Sequence, residues 1–377
     1  LKASSPALFL PVLRGTWPGW LAGMALLWVD KYRPKTLDEL DHHAELSARL
    51  KRFVSAGNQP HMLFVGPSGA GKSTRVHAVL RELFGPGVDA IKVETRSVAP
   101  NPNTPSNTVD IQVVVSNYHL QLTPSDVGNK DRAVVMQLIK EVAAHPPIGG
   151  HGFKVVVIDE AGSLSADAQA ALRRTMERYM KTCRIILSCE SASKIIAPLR
   201  SRCLAVRVPA ASDEQVQATL AQVAAAEKQR LPAELAQKIA TKAAGDLRRA
   251  LLLLESACVQ SSSLSKEMPL PEEAWETAVS KVAKMMIAEQ SPKMAMEVRG
   301  KLYELMAACL PADFILKELT WKLVAEQRNE ELKQRIIAAA AHFESTMRQG
   351  SKDIFHLEAF VLRFMADIKS AAASGVR

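Results

Sequence analysis

The stretch Val65-Gly66-Pro67-Ser68-Gly69-Ala70-Gly71-Lys72-Ser73-Thr74 decides how the rest of the chain is read. It follows a short apolar run, Met62-Leu63-Phe64-Val65, and opens a helical pattern from Arg75 to Phe84. A glycine turn between strand and helix, ending in Gly-Lys-Ser, is a phosphate-binding loop in its expected context. Gly66, Gly69 and Gly71 allow the backbone to turn its N–H groups inward around a polyphosphate. Lys72 is placed to reach the β- and γ-phosphates and the Ser73 hydroxyl to ligate Mg²⁺. The helix that follows directs its positive N-terminal end at the anion. A bound nucleotide is the expectation.

The second decisive stretch is Phe153-Lys154-Val155-Val156-Val157-Ile158-Asp159-Glu160. Four consecutive β-branched residues describe a strand buried on both faces, as in a parallel sheet. Two carboxylates stand at its end, where α/β sheets bind ligands. Asp159 is placed to hold Mg²⁺ through water, and Glu160 to orient and activate the attacking water. The blander reading is an acidic helix N-terminus favoured by the helix dipole. The phosphate loop upstream in a βα chain favours the first.

Further strands are expected at Ala90 to Glu94, Arg184 to Cys189 and Leu204 to Val208. Val109 to Val115 and Tyr118 to Leu122 suit a hairpin or an extended insertion, with a polar surface loop at 98–107 before them. Helices are expected over Asp131 to Ala144, ended by Pro146 to Gly150, and over Ser165 to Met180 with Ser165 as cap. Alternating βα units indicate a doubly wound parallel sheet. From Ser212 the strands cease. Three helices near 212–229, 232–243 and 246–260 lead to a polar break, Ser261-Ser262-Ser263 through Pro271, and the remainder is all helical. In the last helix Ile354, Leu357, Phe360, Val361, Phe364, Met365 and Ile368 form an apolar stripe suited to core or subunit contact.

A chain of 377 residues exceeds one ordinary core, so two or three domains are expected. Apolar content of 47% with 23% charged residues excludes a disordered chain. A net charge of +9 fits either an anionic partner, nucleic acid first, or simply a basic soluble protein. The five cysteines are scattered without a C-x-x-C pair, which argues for a reducing compartment and against structural zinc or a disulfide framework. Residues 1–29 carry no acid, but Arg14 and the Pro/Gly breaks disfavour a membrane span. Residues 1–23 read as an upstream or disordered leader before a start at Met24, with a targeting peptide as the alternative.

These motifs resemble a known family. Trp28-Val29-Asp30-Lys31-Tyr32-Arg33-Pro34, the phosphate loop, Val155 to Glu160 and Ala168 to Glu177 are similar to the small subunits of replication factor C, the sliding-clamp loader among the AAA+ ATPases. Ser193 to Ile196, Ser201-Arg202-Cys203 and Gly245-Asp246-Leu247-Arg248-Arg249-Ala250 add to the match. Pro67 to Lys72, Ser116 to Leu120, Pro124 to Arg132 and Ser351 to Phe360 resemble one type of small subunit in particular. The resemblance implies an α/β fold: a AAA+ parallel-sheet nucleotide-binding domain over 24–208, a three-helix lid over 209–262, and an all-α collar over 263–377.

It further implies ATP or ADP with Mg²⁺, a place in a hetero-pentamer, and a sliding clamp and primer–template DNA as partners in the nucleus, with no membrane. By resemblance Arg202 is an arginine finger acting in trans, its bland alternative being a structural Arg before a strand. Arg248 contacts the γ-phosphate from the lid, or else joins a solvated helix face. Val29, Tyr32, Arg33 and Pro34 border the adenine, and Pro67, Ser68, Ala70 and Thr74 complete the phosphate cradle. Arg173, Arg174 and Lys194 either meet the DNA backbone or form a solvated face.

Two departures from the family pattern stand out. Glu190 occupies the end of a strand where the family commonly places Asn, and Gly162 stands where related subunits carry Asp. At an effective dielectric of 20, two like charges ~5 Å apart repel by roughly 3 kcal/mol. Glu190 is then protonated, turned away, or an impediment to hydrolysis. Two readings follow: an ATPase motor element, or a nucleotide-occupied scaffold with little hydrolysis at its own site. A weaker rival is a branch-migration helicase, disfavoured by the Ser201-Arg202-Cys203 run and the helical C-terminus.

Overall fold

The computed structural model describes residues 26–40, 42–57, 59–98, 108–124, 130–144, 152–261, 264–266, 268–350 and 352–373. The expectations for the leader at 1–23, a start at Met24, the loop at 99–107, residues 125–129 and the 146–150 helix stop lie outside them. The chain divides into two units, one ending at Leu270 and the other beginning at Pro271.

In the first unit a short helix, α1 (Trp28–Lys31), precedes α2 (Ala44–Ser55), β1 (His61–Val65) and α3 (Lys72–Phe84). Then come β2 (Lys92–Val98), β3 (Val109–Val115), β4 (His119–Leu122), α4 (Asp131–Ala144), β5 (Lys154–Ile158) and α5 (Ala166–Arg178). Strand β6 (Cys183–Cys189), α6 (Ala197–Arg200) and β7 (Cys203–Arg207) complete a seven-stranded sheet in the order β2-β3-β4-β5-β6-β1-β7.

The five strands from β4 to β7 are parallel, as the β-branched run in β5 requires. Alternate residues of β5 enter different cores. Val156 and Ile158 pack with Leu138, Ile139 and Leu172, while Val155 and Val157 pack with Phe64, Val79 and Leu80. Helices on both faces are therefore obligatory, since neither row of valines can face water.

The sheet is not parallel throughout. Strand β3 is antiparallel to both β2 and β4. Three residues separate β3 from β4, whereas a parallel crossover needs about a dozen or more, so a reversal is the only connection available. Strand β2 also starts later than Ala90, because Pro86–Asp89 forms a 3₁₀ turn and Ile91 N–H is taken by Asp89 O.

The register sets the site. Val65 lies beside Cys189 and Ile158 beside Leu187. The phosphate loop, the Asp159-Glu160 pair and Glu190 thus leave the same end of three adjacent strands. The end of β7 approaches as well: Val208 N–H donates to Val65 O at 2.8 Å.

Three helices follow, α7 (Asp213–Ala226), α8 (Ala233–Ala243) and α9 (Leu247–Gln260). A reciprocal Ser212–Gln215 capping box starts α7, and Asp246 caps α9 by accepting from Arg249 N. Val216, Leu220, Leu235, Ile239, Leu253 and Leu254 form their shared core.

The second unit is all helical: α10 (Ala274–Ala288), α11 (Pro292–Ala307), α12 (Ala312–Glu326), α13 (Glu330–Met347) and α14 (Asp353–Ala373). Ile354, Leu357, Phe360, Val361, Phe364 and Met365 of α14 are buried, with Ile368 packed against them. The methionine and phenylalanines of the stripe serve the unit's own core. No helix among the described residues is long and apolar enough to cross a membrane.

Candidate nucleotide site

A cavity of ≈ 850 Å³ opens over the strand ends of the first unit. One wall is the segment Leu27–Lys35, here called the strap. The floor is Ser68, Gly69, Gly71, Lys72, Ser73 and Thr74, with Glu160 and Ser188–Glu190 beside it. The opposite wall is the three-helix lid, through Thr219, Gln222, Val223, Leu247, Arg248, Leu251 and Leu252. Val29, Tyr32, Arg33, Pro34, Lys72, Ser73, Thr74, Glu160 and Arg248, singled out separately in the sequence, all line this one space.

Two loop glycines have reasons the sequence did not disclose. A Cβ on Gly66 would stand 2.0 Å from Val208 O, so close approach to the end of β7 demands glycine there. Gly69 has φ +65°, and a Cβ on it would meet Asp246 Oδ1 at 1.8 Å. The capping carboxylate of α9 therefore rests directly on the phosphate loop, and the lid is seated there.

Lys72 curls over the loop, its Nζ donating to Gly66 O at 2.7 Å and Pro67 O at 2.8 Å. Burial pushes its ammonium below the usual range, while the charges of Glu190 and Asp159 oppose that shift. These carbonyl bonds are ones that phosphate oxygens would replace. The strap's tip reaches the same place. Arg33 Nη2 donates to Ser73 Oγ at 3.1 Å and Nε to Thr74 Oγ1 at 3.2 Å, so Arg33 reaches the phosphate-loop end of the cavity. Farther along, Tyr32 Oη and Lys31 Nζ both donate to Glu227 Oε1, at 2.7 and 2.6 Å, which ties the strap to the lid.

At the end of β5, Asp159 Oδ2 accepts from Gln121 Nε2 at 2.5 Å. Burial raises its carboxyl above the usual range, and Glu160 adds to the shift, while the Gln121 bond and the charges of Arg33 and Lys72 hold it down. Glu160 sits at φ 49°, a left-handed conformation costing a non-glycine residue roughly 1–2 kcal/mol. Ser163 locks this turn, its N–H and Oγ donating to Glu160 O at 2.9 and 2.7 Å. Strain held in this way is common where a side chain must be presented to a ligand.

Glu190 is exposed on the cavity wall and its charge bears on Lys72, so it is not turned away. Gly162 lies under Lys194, where a Cβ would meet Lys194 Cδ at 3.2 Å. A larger residue would need that flexible stem to shift.

Arg202 lies outside the cavity. It projects from the turn before β7, held by Glu177 Oε1 at 2.7 Å and Pro198 O at 2.8 Å. Arg173, Arg174 and Lys194 are outside as well, on α5 and the 3₁₀ turn at Ala192–Lys194; Arg174 and Lys194 are exposed. Buried Gln169 joins these elements, donating to Lys194 O and accepting from Ile196 N–H.

Sequence reasoning missed Glu39, His42, Thr219 and Gln222, all on the cavity wall. It also missed Arg75, which is wholly buried and donates to His42 O at 2.6 Å and Ser47 Oγ at 2.9 Å. Burial pushes its guanidinium down to about 10. Arg75 pins the start of α2 and so sets His42, whose Nε2 lies 3.3 Å from where a Gly71 Cβ would be. The only signal was an arginine in the buried register of α3, three residues past Lys72.

The fold and loop define a class, and residues 62–209 match the family model for the ATPase family associated with various cellular activities. Chains of this class bind a nucleotide. Residues 218–259 match the RCF1/5-like AAA+ ATPase lid domain, and residues 275–372 the C-terminal domain of replication factor C subunit 3. Replication factor C subunit 3 of Mus musculus is 44% identical over 354 residues, covering 93% of this chain and 98% of the relative. Replication factor C subunit 5 of Neurospora crassa is 46% identical over 345 residues, covering 91% and 97%. A solved RuvB variant from Thermotoga maritima is similar in fold alone, with a TM-score of 0.50 at 15% identity over 78% of this chain and 91% of that one. The chain belongs to the replication factor C subunit 3/5 family. It is accordingly one subunit of a larger assembly.

Proposed function

We propose that this chain is a nucleotide-binding subunit of the sliding-clamp loader, one of five different subunits in a nuclear ring that opens the replication clamp and closes it on primer–template DNA. Residues 24–208 hold the nucleotide, 209–262 form the lid and 263–377 the collar that joins subunits. The observation that carries this reading is the place of Arg202. The cavity has a phosphate loop, Glu160 at the end of β5 and a lid arginine, while Arg202 stands outside it, exposed and bonded to Glu177. A neighbour's γ-phosphate is the target such a planar cation fits.

Within the site, Gly66 to Thr74 cradle the phosphates of ATP or ADP. Ser73 and Asp159 are the hard oxygen donors that Mg²⁺ takes. The metal would neutralise charge between the β- and γ-phosphates. Glu160 orients water, Arg248 reads the γ-phosphate from the lid, and Val29, Tyr32 and Pro34 flank the base. Arg173, Arg174 and Lys194 supply phosphate-directed, sequence-independent DNA contacts. In the reconstituted complex Arg202→Ala should lower clamp- and DNA-stimulated ATP turnover while this chain's own nucleotide affinity stays unchanged. Unchanged turnover would contradict the reading.

Glu190 favours a second reading, in which the subunit is a nucleotide-filled scaffold with little hydrolysis of its own. Glu160→Gln separates the two. A drop in stimulated turnover supports a motor element, and no change supports the scaffold.

A further inference from the structure

Arg202 leaves the chain just past α6, where its N–H donates to Leu199 O at 3.0 Å and Leu199 is buried in the core. The backbone is thereby fixed, but a long arginine side chain still has to be aimed. Groups of this chain hold it along one edge. Glu177 Oε1 accepts from Nε at 2.7 Å and Pro198 O from Nη1 at 2.8 Å, with Ser201 Oγ 3.4 Å from the same Nη1. Among the described residues nothing is bonded to Nη2. The guanidinium is gripped at its stem and open at its tip, the part of the fork that an outside anion meets.

Glu177 has no second task. Among the described residues it makes no other hydrogen bond or ion pair. Arg173 and Arg174 stand one turn back on α5, within reach of a helical ion pair, yet the carboxylate goes to Arg202. A pair this exposed adds little to stability, so its use lies in direction. We infer that Glu177 is a positioning residue for Arg202, aiming the free Nη2 of the guanidinium at a phosphate bound by the neighbouring subunit; the inference rests on Arg202 acting in trans, as proposed above. A donor already aimed costs no reorganisation when charge develops on the phosphate. Arg202 touches the phosphate, and Glu177 acts only through Arg202.

The test is a double-variant cycle on ATP turnover by the reconstituted complex with clamp and DNA. The Arg202-dependent part of turnover, native minus Arg202→Ala, should fall about three- to fivefold in Glu177→Ala, the reach of an exposed ion pair. The fall should lie in kcat, with KM for ATP unchanged, because a finger serves the transition state. Glu177→Gln, whose amide oxygen still accepts from Nε, should recover most of the loss. Adding Glu177→Ala to Arg202→Ala should change nothing further. An unaltered or faster Glu177→Ala complex, a loss confined to KM, equal losses in the Ala and Gln variants, or a further loss in the double variant overturns the inference and leaves the trans finger standing. A Glu177→Ala complex that does not assemble overturns it too, since Glu177 would then serve the interface. Unchanged turnover in Arg202→Ala overturns the finger and the inference together.

Discussion

Gly69→Ala tests the seating of the lid on the phosphate loop. An alanine there must hold φ near +65° with its Cβ 1.8 Å from Asp246 Oδ1 and 2.1 Å from Asp246 Cγ. The left-handed backbone costs roughly 1–2 kcal/mol. Asp246 can retreat only by abandoning the cap on Arg249 N–H, now 2.9 Å long, which costs about 1 kcal/mol more. Together these oppose the seated lid by about 2–3 kcal/mol, or roughly 30- to 150-fold in nucleotide affinity. Titration of fluorescent ADP into the full chain reads this directly. Asp246→Gly removes the overlap and costs only a few tenths of a kcal/mol as a cap, about twofold in affinity. The double variant should therefore recover about 1 kcal/mol relative to Gly69→Ala, leaving the backbone term alone. Strict additivity of the two single effects would refute the direct contact.

Glu190→Gln should tighten a non-hydrolysable ATP analogue by about tenfold, the solvent-screened share of a full charge, with a smaller effect on ADP; equal tightening of both would place Glu190 away from the γ-phosphate. His61 and His119 are held neutral, their pKa values lowered by burial to about 4 from 6.5. Their ring nitrogens bond Ile185 N–H at 3.0 Å and Ser116 Oγ at 2.6 Å. The unfolded chain takes up these protons first, so their stabilisation is complete above pH 6.5 and is lost as pH falls toward 4, by at most about 3 kcal/mol each. Urea midpoints that stay level across that range would contradict the buried neutral histidines. Arg75→Met keeps the aliphatic stem but removes the bonds to His42 O and Ser47 Oγ, which should destabilise the first unit by about 2 kcal/mol and weaken ADP binding; unaltered ADP affinity would remove Arg75 from the site's support.

What the sequence disclosed was mostly local. The phosphate loop, the β-branched run of β5, the Ser165 cap and the apolar stripe of α14 are each written in consecutive or helically spaced residues. The β3–β4 hairpin was one of two forms the sequence allowed, whereas the antiparallel pairing of β2 with β3 was not legible, because alternation marks a half-buried strand without naming its neighbour. Partner choice followed from a three-residue connection and from which edge was open.

In the site the same divide appears. Lys72, Ser73 and Glu160 belong to motifs, whereas Arg33 on Ser73, Asp246 on Gly69 and Arg75 under His42 join residues 33 to 177 positions apart. Glu190 was visible as a departure, but only the pairing of β6 with β1 brought its charge to bear on Lys72. Arg202 was singled out by its resemblance to a family motif; its ion pair with Glu177 of α5 was not legible.

The central claim is that this chain is a nucleotide-binding subunit of a clamp loader. Affinity purification of the full chain from its native cells, with identification and quantification of every co-purifying chain, tests it most directly. The account predicts four other replication factor C subunits in amounts equal to this one. Recovery of the chain alone, or with partners that include no replication factor C subunit, would contradict it.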